Sequence, residues 1–217
     1  QLKEGKAFLE RSEQNTLKGS LIFSERGVIK DRNGELLAWN EADPLSPDFA
    51  KRKYTERKGL SHILGYVSYP KKDTGENYWQ HEFLGIDGLE KKYNDKIKGE
   101  NGSKIIEVDA RGTIHSENII NAPERGEGLV TSIDSRIQQQ LFTSIKDTSI
   151  DNSFVGGAGV IMDLTSGEIL ASTSFPEYDS GILSLGKDKE AINSYITDKR
   201  KFFLDRTISG LYTPGSI

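Results

Sequence analysis

The 217-residue sequence contains no cysteine. That excludes disulfides and thiolate metal sites, although a cysteine-free chain suits a reducing cytosol and a bacterial envelope equally. No apolar run approaches the roughly 20 residues that span a bilayer, and no secretory signal pattern is visible. Charge of one sign is also lacking: 29 Lys and Arg face 33 Asp and Glu, for a net charge of −4. Without a basic stripe there is no electrostatic footprint of a nucleic-acid binder, and no nucleic-acid partner is expected. Histidine is scarce. His62, His81 and His115 are scattered, and His81-Glu82 lacks the second histidine of a zinc-protease helix, so no metal is expected. No cofactor motif is evident either. Gly156-Gly157-Ala158-Gly159 precedes a strand pattern, the reverse of a phosphate-cradling loop, and reads as a linker.

What is present is glycine and polar surface. The 22 glycines imply many turns, and 29% charged residues with a mean hydropathy of −0.56 imply much exposed surface. An elongated or multi-lobed chain follows better than one compact ball. Residues 1–20 read as a polar helix or an extended arm. Over 21–40, Leu21-Ile22-Phe23 and Val28-Ile29 lead into a turn at Asp31-Arg32-Asn33-Gly34, with Leu36-Leu37-Ala38 returning, which predicts a hairpin. A short helix is expected from Leu89 to Ile97, stopping at Gly99. A second hairpin turns at Asp109-Ala110-Arg111-Gly112, and a third at Thr165-Ser166-Gly167 between Val160–Leu164 and Ile169–Thr173. Between these, Leu129–Ile133 reads as a strand. It feeds an amphipathic helix carrying Ile137, Leu141, Phe142 and Ile145 on one face, with Ser135 and Gln138 as a capping box. Segment 187–212 is charged and partly helical, with Phe202-Phe203-Leu204 expected in the core.

Several residues admit a chemical reading and a plainer one. Asp31 and Arg32 read as a turn aspartate and a salt bridge of a supporting lobe rather than a catalytic pair. Glu168 reads as a solvated turn residue. Trp39, Trp79 and Tyr78 read as core rather than a partner patch.

Four segments together resemble the class B penicillin-binding proteins. Arg26-Gly27-Val28-Ile29-Lys30-Asp31-Arg32-Asn33-Gly34-Glu35-Leu36-Leu37-Ala38 is similar to the family's pedestal signature, Arg-Gly-x-Ile-x-Asp-Arg-x-Gly-x-x-Leu-Ala. Gly85–Glu90, with Tyr93 and Gly99, resembles its Gly-x-x-Gly-Leu-Glu segment. Leu129–Asp134 with Gln138, then Val160–Ala171, resembles the opening of its transpeptidase domain. Pro176–Asp179 and Pro214-Gly215-Ser216 complete the set in the family's order.

The resemblance implies an α+β fold in two parts. Residues 1–125 would form an elongated, strand-rich pedestal with a reduced head, and 126–217 the first helix and strands of a serine-transpeptidase domain. It implies acyl transfer: Ser216 would attack the D-Ala-D-Ala carbonyl of a peptidoglycan stem peptide, or a β-lactam, and a second stem's amine would resolve the acyl-enzyme. A serine hydroxyl needs a neighbouring base, in this family the lysine of Ser-x-x-Lys. On a helix that spacing stacks the two side chains one turn apart, and a serine at the helix start gains from the N-terminal dipole. The matching lysine would fall two positions beyond Ile217, and the Ser-x-Asn and Lys-Thr-Gly motifs further on. The 217-residue stretch alone is therefore expected to be inactive. Implied partners are a SEDS-type glycosyltransferase and other morphogenesis proteins. The implied location is the outer face of a bacterial cell membrane, through an N-terminal anchor absent from this sequence. The alternative is a non-catalytic scaffold binding cell-wall synthesis partners. A serine β-lactamase or β-lactam sensor also uses Ser-x-x-Lys, but lacks a segment like 26–38. A catalytic sheet represented by its first strands predicts a bare edge and an apolar face.

Overall fold

The computed structural model describes residues 16–44, 48–75, 77–109 and 113–211. It is α+β and strand-rich, as expected. Strands β1 (Thr16–Ile22), β9 (Gly102–Val108) and β10 (Ile114–Asn121) form an antiparallel sheet with β9 at its centre. Leu21 and Ile22 therefore do not belong to the first hairpin; they pair with Ser103 and Gly102. Long-range pairing here overrides the local pattern, because β9 offers a full-length partner for β1.

The hairpin itself is β2 (Ile29–Lys30) and β3 (Leu36–Glu41), in a sheet ordered β11-β2-β3-β4 with β4 at Lys51–Tyr54. Its turn forms as the Asn-Gly pair predicts, with Gly34 at φ 87°. Strand β11 is shorter than expected, Leu129–Val130, and runs parallel to β2 with Leu129 beside Ile29. The second part of the chain thus completes a sheet begun in the first. Two short pairs, β5 (Val67–Ser68) with β8 (Leu84–Gly85) and β6 (Lys71–Lys72) with β7 (Tyr78–Gln80), lie between.

The helix expected over Leu89–Ile97 is broken at Tyr93 into α2 (Gly88–Lys92) and α3 (Asn94–Ile97), preceded in the chain by α1 (Ser61–Leu64). Tyr93 leaves helical geometry at φ −109° and ψ 19°, and just after it the Asn94 side-chain oxygen accepts from Gly85 N and Arg26 Nη2. The amphipathic helix is α4 (Ser135–Asp151), but its cap is Asp134, not Ser135. The Asp134 carboxylate accepts from the Arg136 and Ile137 amides, and Gln138 turns inward instead of closing a capping box.

The third hairpin is β12 (Gly157–Met162) with β13 (Ile169–Phe175). Of the glycines expected to form a linker, Gly157 and Gly159 are inside β12 and Gly156 directly precedes it. A Cβ on Gly157 would sit 2.8 Å from the Ile145 side chain, and one on Gly159 2.9 Å from it. Helix α4 lies directly on the bare backbone. Among the described residues β12 pairs only with β13, so its other edge is open, and the exposed Val160 and Met162 leave an apolar face without cover. Helices α5 (Ser180–Leu185) and α6 (Lys189–Thr197) follow. Phe202 and Leu204 are half-buried and Phe203 is exposed, so that cluster is not core; Trp79 is exposed and Trp39 half-buried.

The core is one cluster of Ile29, Leu37, Ala38, Leu60, Leu64, Ile97 and Ile133, with Leu89, Tyr93 and Leu129 packed against it. Among the described residues no helix is long and apolar enough to cross a membrane.

Candidate functional site

Ser216 and its neighbours 212–217 lie outside the described residues. The described structure is the joint from which that segment departs. Its polar side chains are buried, and each is held from several elements.

The first group is charged. The segment 23–28 carries Arg26 inward, where Nε donates to Glu90 Oε2 at 2.6 Å and Nη2 to Asn94 Oδ1 at 3.0 Å. From β4, Arg52 Nε donates to the other oxygen of the same carboxylate at 2.7 Å. All three side chains are essentially without solvent contact. Two guanidiniums on one carboxylate leave a net positive charge inside, and burial pulls the Arg26 pKa down against the pull of Glu90. Asn40 ties the pair together, accepting from Arg52 Nη1 and donating to the Arg26 carbonyl. Arg52 Nη2 has no hydrogen-bond partner among the described residues.

The second group links the hairpin turn to α4. Asp31 is fully buried. Its carboxylate accepts the Asn33 and Glu35 amides at 2.8 and 2.9 Å, and the Ser135 hydroxyl and amide at 2.8 and 3.2 Å. Burial pushes its pKa up, but those donors outweigh it and hold it below the usual range. Asn33 also donates to Asp134. Asp134 is held low chiefly by the Arg136 side chain, against burial, with Asn33 and two amides assisting. The salt bridge of Arg32 is made with Glu168 at 3.4 Å, half-exposed on both sides, so Glu168 is less free than its turn position suggested.

The third group surrounds the turn before α1. The Gly59 and Ser61 amides donate to the two oxygens of Glu177 at 2.7 and 3.0 Å. Burial, the dominant influence, raises the Glu177 pKa despite those donors. The Gly59 carbonyl accepts from Gln138 Nε2 and the Thr173 hydroxyl. Gln138, fully buried, also exchanges hydrogen bonds with the Ser172 backbone. Gly59 has φ +88°, and a Cβ there would meet Phe142 at 2.7 Å and Thr173 at 2.8 Å. Only glycine lets this turn reach α4 and β13 together. The Tyr178 hydroxyl donates to Asp87 Oδ2 at 3.0 Å and lies 3.2 Å from the Ser61 carbonyl. Beside this joint, a cleft of about 460 Å³ separates β4 from residues 177–185. Among the described residues no three His, Cys, Asp or Glu side chains gather as a metal site would need. The arrangement is a buried, densely hydrogen-bonded joint.

A family model described as the penicillin-binding protein dimerisation domain matches residues 48–131, which contain Arg52, Gly59, Ser61 and Glu90. Curated relatives include the peptidoglycan D,D-transpeptidase FtsI of Escherichia coli (strain K12), 25% identical over 92% of this chain and 30% of that protein. The peptidoglycan D,D-transpeptidase MrdA of the same strain is 26% identical over 77% of this chain and 27% of that protein. The chain is similar to these peptidoglycan D,D-transpeptidases and carries a segment that matches the penicillin-binding protein dimerisation domain. It spans less than a third of the length of these relatives. A chain solved in a study of the structural coordination of polymerization and crosslinking by a peptidoglycan synthase complex shares the fold. Its TM-score is 0.67 at 21% identity, covering 94% of this chain and 47% of that one.

The segment 26–38, which resembles a pedestal signature, supplies Arg26 and Asp31, two of the fully buried charges of the joint. The partners Arg52, Gly59, Gln138 and Glu177 carried no such role in the sequence reading. The signals were faint: a cation on a β-strand, a glycine in a basic stretch, and a glutamine at what looked like a capping position.

Proposed function

We propose that this chain is the extracytoplasmic front part of a peptidoglycan D,D-transpeptidase, with residues 1–125 as its pedestal and 126–217 opening the catalytic domain. The observation that carries the reading is the alignment of 92% of the chain with a protein named as that enzyme. The buried setting of Arg26 and Asp31, both from the pedestal signature, supports it. In this reading Ser216 is the nucleophile, entered through Pro214-Gly215. Its hydroxyl attacks a stem-peptide or β-lactam carbonyl, and its proton passes to a lysine one turn on, beyond Ile217. The joint holds the catalytic unit against the pedestal. The pedestal offers surface to a SEDS-type glycosyltransferase and other morphogenesis proteins, at the outer face of the cell membrane behind an N-terminal anchor. The exposed isoleucines of β10 are suited to such contact.

Fluorescent penicillin tests the reading. The full-length gene product should be labelled stoichiometrically on Ser216 and lose the label as Ser216→Ala. The 217-residue stretch alone should take none, since it ends before any lysine at the required spacing. Labelling of the isolated stretch, or none of the full-length protein, overturns the reading.

A further inference from the structure

The cleft of about 460 Å³ between β4 and residues 177–185 is of the size that small-ligand sites have. Its charge is unbalanced. Lys51, Arg52, Lys53, Arg57 and Lys58 line it, against the carboxylates of Glu56, Glu177 and Asp179. Two of those carboxylates are engaged by backbone. Glu177 accepts the Gly59 and Ser61 amides, and Asp179 accepts the Ile182 amide as the cap of α5. Lys51 and Lys53 pair with Asp43 and Glu41, neither of which lines the cleft. Lys58 is exposed and has no acidic partner among the described residues.

The positive charge continues inward from this wall. Arg52 shares the single Glu90 carboxylate with Arg26, so the buried cluster keeps one cation in excess. In such a low-dielectric setting a charge acts over a longer reach than it would in water.

Two polar groups of the cleft also have unmet hydrogen-bonding capacity. Arg52 Nη2 and Ser180 Oγ are buried without a partner among the described residues. Arg52 comes from β4 and Ser180 opens α5, so they belong to facing walls. Buried polar groups left unpaired are costly, and two of them on one cleft call for an explanation. A guanidinium nitrogen can only donate, and a serine hydroxyl is able to donate. An acceptor therefore suits both, and an anionic acceptor also offsets the excess charge.

We propose that this cleft binds a compact anion carrying two or more carboxylate or phosphoryl groups, held by Lys53 and Lys58 from one wall and by Ser180 from the other. The proposal goes beyond the transpeptidase reading and does not depend on it, because the binding is read without any acylation step.

The test is calorimetric titration of the full-length protein at low ionic strength with two probes, citrate for carboxylates and inorganic pyrophosphate for phosphoryl groups. At least one should bind with a dissociation constant below about 1 mM and raise the melting temperature. Binding by citrate alone assigns the site to carboxylates, and by pyrophosphate alone to phosphates; both outcomes support the proposal. The double variant Lys53→Glu, Lys58→Glu should weaken binding at least about tenfold. Both side chains are exposed, and reversing Lys53 disrupts only a half-exposed pair that contributes little to the fold. The control double variant Lys18→Glu, Lys199→Glu makes the same change of net charge at exposed positions outside the cleft, and should stay within about twofold of the wild type. Ser180→Ala should weaken binding about threefold without lowering the melting temperature of the probe-free protein, since its hydroxyl has no bond within the described residues to lose. Should the double reversal fail to fold, Lys58→Ala should weaken binding in its place. The proposal is overturned by absence of binding of either probe up to about 10 mM, by equal loss in the two double variants, or by wild-type affinity in Ser180→Ala. None of these results touches penicillin labelling, so the transpeptidase reading stands or falls separately.

Discussion

At the scale of single residues, this molecule concentrates its buried charge in a few carboxylates, each with a different balance. Glu90 is shared by two guanidiniums, one on each of its oxygens, so a single negative charge serves two positive ones and neutral acceptors complete their hydrogen bonding. Removing one partner of such a group exposes the desolvation cost of the rest. Glu90→Ala should therefore cost about 3–5 kcal/mol, read from urea unfolding. Asp31 and Asp134 titrate below their unfolded values. Their contribution is fully present above about pH 4 and is lost as pH falls through the folded values. Glu177, raised by burial, works the other way: its contribution is present below the unfolded value and is lost as pH rises through the folded one. The two depressed groups outnumber the raised one, so acid should weaken the fold. Asp31→Asn should lower the urea midpoint at pH 7 and shrink the difference between pH 7 and pH 3. An unchanged difference would remove Asp31 from that account.

Among the elements, the hairpin at 29–41 and helix α4 were legible because a turn signal or a 3.6-residue period marks them locally. The rest of α4's setting was not. Gly157 and Gly159 look like a linker to any reading of local propensity, because the reason for their presence is a helix that packs on them from another part of the chain. Gln138 looked like a cap for the same reason, its true acceptors at Gly59 and Ser172 being distant in sequence. The assignment of Leu21 and Ile22 to the first hairpin failed because β9, some eighty residues on, outcompetes the neighbour. Close packing gives the glycine finding a test. Gly159→Val pushes two methyl groups into Ile145 and Leu141, and should cost about 1–3 kcal/mol by overpacking. An exposed control such as Val160→Thr on the same strand should change stability far less, both read by thermal unfolding.

For the molecule as a whole, the division at residue 125 falls across shared structure. Ile133 and Leu129 belong to the cluster built on Ile29, Leu37 and Leu64. Ser135 and Glu177 supply the partners of Asp31 and Gly59. A polypeptide limited to residues 1–125 should therefore melt at least about 10 °C below the full stretch, with a broader transition. Addition of residues 126–151, restoring β11 and α4, should recover part of that loss. A 1–125 piece as stable as the whole would show that the joint is a contact between independent units.

The parallel pairing of β2 with β11 also has a consequence in time. Ile29 and Leu129 lie about a hundred residues apart along the chain. At roughly 5–20 residues per second of synthesis, the hairpin that buries Asp31 waits about 5–20 s for the strand that completes its sheet. During that interval the apolar edge of β2 is bare, and pairing at such separation is slow to form even when both strands exist. Until Leu129 emerges, that edge is therefore expected to be the place where a nascent chain is most open to wrong pairing.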